Sequence, residues 1–97
     1  MIVHLAARAR RDADRIDAWL RQRSPAAADR FRDEVAEALQ RLAVSPHAEP
    51  PYSPGIRRLL LRGSRYHLYY DTDDARGVVT VRTIWHAARS RGPKLGK

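Results

Sequence analysis

The sequence predicts an α+β fold in the order β-α-α-β-β-β, with an antiparallel sheet packed on an N-terminal helical hairpin. Two patterns and a divider between them carry this reading. Apolar residues recur at helical spacing through the first half of the chain and alternate with polar ones from Ile56 onward. Between the halves, residues 46–55 hold four of the six prolines (Pro46, Pro50, Pro51 and Pro54) and end in Gly55, a stiff surface connection. Ninety-seven residues leave room for one core, so residues 1–97 are read as a single domain.

Ile2 to Leu5 is a short strand candidate. Ala7 to Arg23 follows as an amphipathic helix: Ala9, Ala13, Ile16 and Leu20 form one apolar face, with Trp19 beside it. Ser24-Pro25 then ends one helix and starts another, serine as N-cap and proline at the first helical position. The second helix runs to about Val44 with Ala27, Phe31, Val35, Ala38, Leu39 and Leu42 on its buried side, and Ser45-Pro46 stops it. So short a joint predicts an antiparallel pair. Asp12, Asp14, Asp17, Asp29, Asp33, Glu34 and Glu37 lie among arginines and read as surface pairs at i,i+3 and i,i+4.

In the second half, Ile56 to Arg62 and Arg65 to Asp71 read as a hairpin around Gly63-Ser64, a type II′ turn. Thr72 to Gly77 is a polar turn, and Val78 to Trp85 is a β-branched third strand. With Gly63-Ser64 as the loop, Arg62 faces Arg65, Leu61 faces Tyr66, Leu60 faces His67, Leu59 faces Leu68, and Arg58 faces Tyr69. Leu59, Leu61, Tyr66 and Leu68 then turn to the helices; Arg58, Leu60, Arg62, Arg65, His67 and Tyr69 share the open face. A slip of one residue mixes the two sets, which supports the register. Two arginines directly opposite one another are unfavourable unless an anion lies between them, so this face is the candidate ligand surface.

Nineteen Lys+Arg against eleven Asp+Glu leave a net charge of +8. Arginine, the residue suited to bidentate phosphate and carboxylate contacts, dominates that surplus. A nucleic acid, an acidic protein partner, or both are implied. The absence of cysteine excludes disulfides and thiolate zinc sites. No apolar run nears the roughly 20 residues of a membrane span, and Met1 to Ala6 is too short for the apolar core of a signal peptide. A soluble cytoplasmic protein is the simplest expectation. The histidines show no metal-ligand spacing, and there is no Gly-rich phosphate loop, so neither metal nor cofactor is expected. His4 and His47 are read as incidental, Tyr66 and Tyr70 as core, and Trp85 as a packing residue.

Four segments resemble one known family when taken in order. They are Ser24-Pro25-Ala26-Ala27-Ala28-Asp29-Arg30-Phe31, Gly55-Ile56-Arg57-Arg58-Leu59, Tyr66-His67-Leu68-Tyr69-Tyr70 and Trp85-His86-Ala87-Ala88-Arg89. Their order and spacing, over nearly the whole chain, are similar to those of the RelE/ParE superfamily of bacterial toxins from type II toxin–antitoxin systems. The resemblance implies an acidic or amphipathic antitoxin that wraps and neutralises the toxin. Two activities compete within the superfamily. ParE-like toxins poison DNA gyrase and stabilise plasmids; RelE-like toxins cut mRNA in the ribosomal A site.

RNA cleavage needs a group to activate the ribose 2′-OH, positive charge for the transition state and a proton donor for the leaving oxygen. Carried over from RelE-like toxins, the central-strand arginine falls on His67 and the late arginine on Arg89. The C-terminal tyrosine has no counterpart in Ser90 to Lys97, which leaves His86 as a substitute acid or base. A lysine-rich ribosome face is also thin here, with only Lys94 and Lys97. The helical hairpin and the His-Ala-Ala-Arg ending resemble the ParE-like branch, which is the preferred reading. The alternatives are a ribosome-dependent endoribonuclease with His67, Arg89 and His86 as catalytic residues, or an inactive toxin fold that only binds its antitoxin. Arg58, Arg62, Arg65, His67, Tyr69 and Arg89 are the candidate residues for target or antitoxin binding. The basic ending, Arg89, Arg91, Lys94 and Lys97, is read as a solvated tail or part of that surface.

Overall fold

The computed structural model describes residues 1–89 and 92–95; Arg91 and Lys97 of the basic ending lie outside them. Strand β1 (Ile2–Leu5) leads into helices α1 (Ala7–Arg23) and α2 (Pro25–Val44), followed by β2 (Pro51–Ser53), β3 (Ile56–Leu61), β4 (Tyr66–Asp73) and β5 (Val78–His86). The helices join at one residue. Ser24 closes α1 by donating its N–H to Leu20 O at 2.7 Å and caps α2 by accepting the Ala27 N–H on its side chain at 3.2 Å. Across the hairpin, Asp17 of α1 takes Arg21 at 2.9 Å and Arg32 of α2 at 2.8 Å. Hydrogen bonds from Arg32 and then Arg21 lower its pKa to about 2.

The sheet order is β1-β5-β4-β3-β2. The β3–β4 and β4–β5 pairings are antiparallel, as expected, and β2–β3 is antiparallel too, but β1 runs parallel to β5, so the sheet is mixed. The edge strand β2 was not anticipated. Proline removes a ladder donor and masks a strand in sequence, yet an edge strand tolerates it, and the pairing with β3 is irregular there. The β3–β4 register matches the expected one from Arg58↔Tyr69 through Leu61↔Tyr66.

The turn between them differs. Residues 62–65 form a four-residue loop in which Arg65 donates its N–H to Leu61 O at 2.8 Å, and Arg65, not Gly63, takes the left-handed backbone (φ 65). Arg62 and Arg65 are therefore loop residues, not ladder partners. The reason is Glu34 of α2, whose carboxylate accepts the N–H groups of Gly63 at 2.6 Å and Ser64 at 2.9 Å. A Cβ at position 63 would stand 2.9 Å from that carboxylate, so a larger residue here would make the Glu34 side chain shift. Burial pushes the Glu34 pKa up, but the donors on Ser64 and Gly63 outweigh it and hold the group below its usual value.

One layer of core lies between the helices and the sheet. Phe31 and Leu42 of α2 and Ala9 and Ile16 of α1 meet Leu59, Leu61, Tyr66, Leu68, Tyr70, Val79, Val81 and Ile84. Tyr66 and Tyr70 are core residues as expected, and Phe31 meets the Tyr66 ring edge-on at 5.4 Å. The Tyr70 hydroxyl donates to Pro46 O at 2.7 Å and anchors the start of the proline-rich connection. Burial first, and the nearby Glu49 carboxylate second, raise the Tyr70 pKa to about 12. An unfolded tyrosine ionises near 10, so this contribution to stability is complete below about pH 10 and is lost as pH rises towards about 12. Tyr70→Phe should flatten the alkaline limb of a stability-against-pH curve, measured by urea unfolding, and cost about 1 kcal/mol at neutral pH.

Asp12 departs from the expectation of a surface pair. Strand β1 ends its pairing at Leu5↔Val81, which leaves the outer edge of β5 open beyond that point. The ladder between β4 and β5 shifts register between Tyr69↔Thr83 and Tyr70↔Val81, making Arg82 an extra residue. The bulge presents Thr83 and Ile84 to one carboxylate. Asp12, itself buried, accepts the Thr83 hydroxyl, the Ile84 N–H at 3.1 Å and Arg15 Nη2 at 2.9 Å. A side chain of α1 thus takes over the edge where a strand has run out.

Candidate functional site

The open face of the sheet carries Arg58, Leu60, His67 and Tyr69, with Trp85 opposite His67 on β5. Arg62 and Arg65 stand exposed at the hairpin tip beside it. Sequence reasoning missed Tyr52 of β2, which organises the far side. The Arg58 guanidinium lies over its ring at 5.3 Å, and Tyr69 meets it edge-on at 4.7 Å. Its only sequence signal is an aromatic residue set among prolines. His67 in turn meets Tyr69 edge-on at 5.8 Å. Tyr69 is only 3% exposed, so it forms the floor of this face and Arg58 stacks on Tyr52 instead.

The tail returns over the same place. The Tyr52 hydroxyl donates to Pro93 O at 3.3 Å, and Pro93 is buried. A Cβ on Gly92 would fall 1.8 Å from that hydroxyl, so only glycine lets the tail approach. Gly92→Ala should lift the tail off Tyr52 without unfolding the sheet. Faster tryptic cleavage after Lys94, at unchanged melting temperature, is the expected result.

The charges on this face are free of counter-charges. Among the described residues no carboxylate lies within 4.0 Å of Arg58, Arg62, Arg65 or Arg89, whereas Arg15, Arg21, Arg32, Arg41, Arg76 and Arg82 all have one. Burial, then Arg58, then Arg65 lower the pKa of His67 and favour its uncharged form.

The candidate residues do not all converge. His86 pairs with Tyr66 across the ladder and so stands on the helix side of the sheet, its ring 4.9 Å from that of Tyr66. Its Nδ1 accepts the Ala88 N–H at 3.0 Å. Arg89 sits where β5 ends, its guanidinium over the Trp85 ring at 4.7 Å, and it also borders a pocket on the helix side. The structure thus gathers Arg58, His67 and Tyr69 on one face, with Arg62 and Arg65 at its tip; it puts His86 on the other and leaves Arg89 at the border. His47 is paired with Asp74 at 3.0 Å. Among the described residues no group of three or more His, Asp or Glu side chains is placed to hold a metal, and no helix is long and apolar enough to cross a membrane.

Comparison with protein-family models matches residues 3–91 to the ParE toxin of the type II toxin–antitoxin system parDE. The chain belongs to the ParE toxin family. Solved structures agree on the fold. The chromosomal ParDE toxin–antitoxin system from P. aeruginosa superposes with a TM-score of 0.74 at 18% identity, covering 89% of this chain and 95% of that one. The isolated E. coli RelE toxin superposes with a TM-score of 0.63 at 22% identity, covering 92% and 86%. Comparison with curated protein sequences returned no significant match. Membership of the ParE family makes this chain a toxin component and implies an antitoxin as its partner.

Proposed function

We propose that this ParE-family chain is a cytoplasmic, plasmid-stabilising toxin that arrests growth by binding DNA gyrase through its open face, and that its antitoxin holds it inactive. On this reading Arg58, Arg62 and Arg65, with Arg89 at the border, supply the cationic contacts. Tyr52, itself met edge-on by Tyr69, holds Arg58 in place, and catalysis by the chain itself is not required. The observation that carries the reading is the separation of the two histidines. Acid and base in RNA cleavage must reach opposite sides of one phosphodiester, and His67 and His86 occupy opposite faces of the sheet. The unpartnered arginines are suited instead to a carboxylate or phosphate surface.

The RelE-like fold match keeps mRNA cleavage as the second reading, with His67 beside Arg58 and Arg65 as its best feature. Incubation of the purified toxin with gyrase and supercoiled plasmid separates the two. Plasmid linearised only when gyrase is present, and an early stop of DNA synthesis in cells expressing the toxin alone, are the expected results. An early stop of translation with cleaved mRNA, abolished by His67→Ala, would transfer the assignment to the ribosome. No growth arrest at all would leave a toxin fold that only binds its antitoxin.

A further inference from the structure

The two outer strands of the sheet are built differently. At one side β2 begins with Pro51, pairs irregularly with β3 and is bracketed by Pro50 and Pro54, features that discourage strand addition. At the other side β1 reads Ile2-Val3-His4-Leu5, in regular register with β5, and Met1 to Ala7 contains no proline and no Lys, Arg, Asp or Glu. One edge is guarded and the other is bare.

The hydrogen bonds of β1 show which groups it leaves open. Ile2 and Ala6 donate their N–H groups to Gly77 O and Val81 O, both at 2.9 Å. Main-chain groups alternate in direction along a strand, so Val3 and Leu5 turn their N–H and C=O groups away from β5. Apolar surface gathers at the same edge. Ile2 is 62% exposed, Met1 41% and Val44 82%, three of the four exposed large hydrophobic side chains among the described residues. The Met1 amine donates to Ala43 O at 2.8 Å, which sets the start of β1 beside the end of α2.

Charge narrows what covers this edge. An acidic partner is drawn to the arginines, not to a stretch that offers it no counter-charge. A second copy of the chain, itself at +8, is repelled where arginines meet arginines and is accepted where both surfaces are uncharged. Antiparallel pairing about a two-fold axis at His4 is also the register that uses every open group, because Val3 of each copy then exchanges its bonds with Leu5 of the other. Pairing about Val3 would set Leu5 against Met1, whose amine is already taken, and pairing about Leu5 would run Val3 into the start of α1.

We propose that two copies of this chain join edge to edge through β1, antiparallel and centred on His4, so that their sheets become continuous. The contact is isologous and keeps both open faces on one side, so the dimer presents two basic surfaces together. It does not depend on the identity of the target. Strands this short bury little area, and half-association is expected at about 10–100 µM.

The chain has no cysteine, which makes a direct test available. In this register position 4 faces its own copy as a non-hydrogen-bonded pair, with Cα atoms about 4.5 Å apart, within reach of a disulfide. His4→Cys toxin, purified from the co-expressed complex, stripped of antitoxin and mildly oxidised, should form a covalent dimer. Ala26→Cys, exposed at the start of α2, is the control and should cross-link at least about 10-fold more slowly. Sedimentation velocity on the parent should pass from monomer to dimer between about 1 and 300 µM. Val3→Pro removes an outward N–H and no bond to β5, so it should remain monomeric at the parent melting temperature. Ile2→Lys, which adds a charge to the edge without touching the backbone, should weaken association by about 10-fold or more and decides the matter if Val3→Pro fails to fold. A parent that stays monomeric to about 300 µM, or a dimer that forms equally well in Ile2→Lys, would overturn the proposal. So would His4→Cys cross-linking no faster than Ala26→Cys. A monomeric parent whose antitoxin binding is lost in Ile2→Lys would assign the edge to the antitoxin instead.

Discussion

Asp12→Ala is expected to destabilise the protein by about 3 kcal/mol, more than any other removal of a single charge in this chain. Asp12 is buried and receives the Thr83 hydroxyl, the Ile84 N–H and Arg15. Alanine leaves the Ile84 N–H and the Thr83 hydroxyl without an acceptor, each costing about 1–3 kcal/mol, and frees Arg15 to swing into water. For a domain of this size the loss corresponds to a fall in Tm of about 15 °C. Asp12→Asn keeps acceptor oxygen for the strand edge while giving up the ion pair, and should cost about half as much. Asp33, exposed and without an ion-pair partner among the described residues, provides the control: Asp33→Ala should stay within about 0.5 kcal/mol. Urea unfolding of the three variants decides the matter, and a loss below 0.5 kcal/mol for Asp12→Ala would show that another group caps β5.

The largest functional effect is expected from reversing charge at the hairpin tip. Arg62→Glu with Arg65→Glu exchanges two positive charges for two negative ones on exposed loop residues that have no carboxylate partner among the described residues. If the open face meets the target, electrostatic repulsion replaces attraction at two adjacent points, and target affinity should fall by about 100-fold or more. Cells expressing the double variant without antitoxin should then grow, while thermal stability changes little. Arg65→Gly is the informative companion. Arg65 holds φ 65, which glycine adopts freely, so this change should preserve or improve stability while removing one charge. Full toxicity in the double variant would remove the hairpin tip from the target surface.

The carboxylates mark how far the pattern of residues could be read alone. Asp12 falls three residues after Ala9 and four before Ile16, on the apolar stripe of α1. Glu34 falls three after Phe31 in the same way on α2. An acid at such a position is out of place as a surface pair, and that was the available signal. What each acid serves was not legible, because its partners are backbone groups distant in sequence: Gly63 and Ser64 for Glu34, Ile84 for Asp12. Glu34 also explains the turn. A two-residue loop is the local preference of Gly63-Ser64, and a carboxylate from α2 outweighs that preference.

The sequence by itself determined the helical hairpin, its one-residue joint at Ser24, the β3–β4 register and the basic character of the open face. These rest on local spacing, capping and alternation, which need no knowledge of distant residues. Only the tertiary structure decided the rest. Strand β2 hides behind its prolines until an edge of the sheet is there to receive it. Tyr52 gains its role from Arg58, Tyr69 and Pro93, which meet it through the sheet and the returning tail. The ending Trp85-His86 is one short stretch of sequence, yet alternation along β5 sends Trp85 to the open face and His86 to the helix side. That period of two, combined with where β1 stops, turns one run of candidate residues into two separate surfaces.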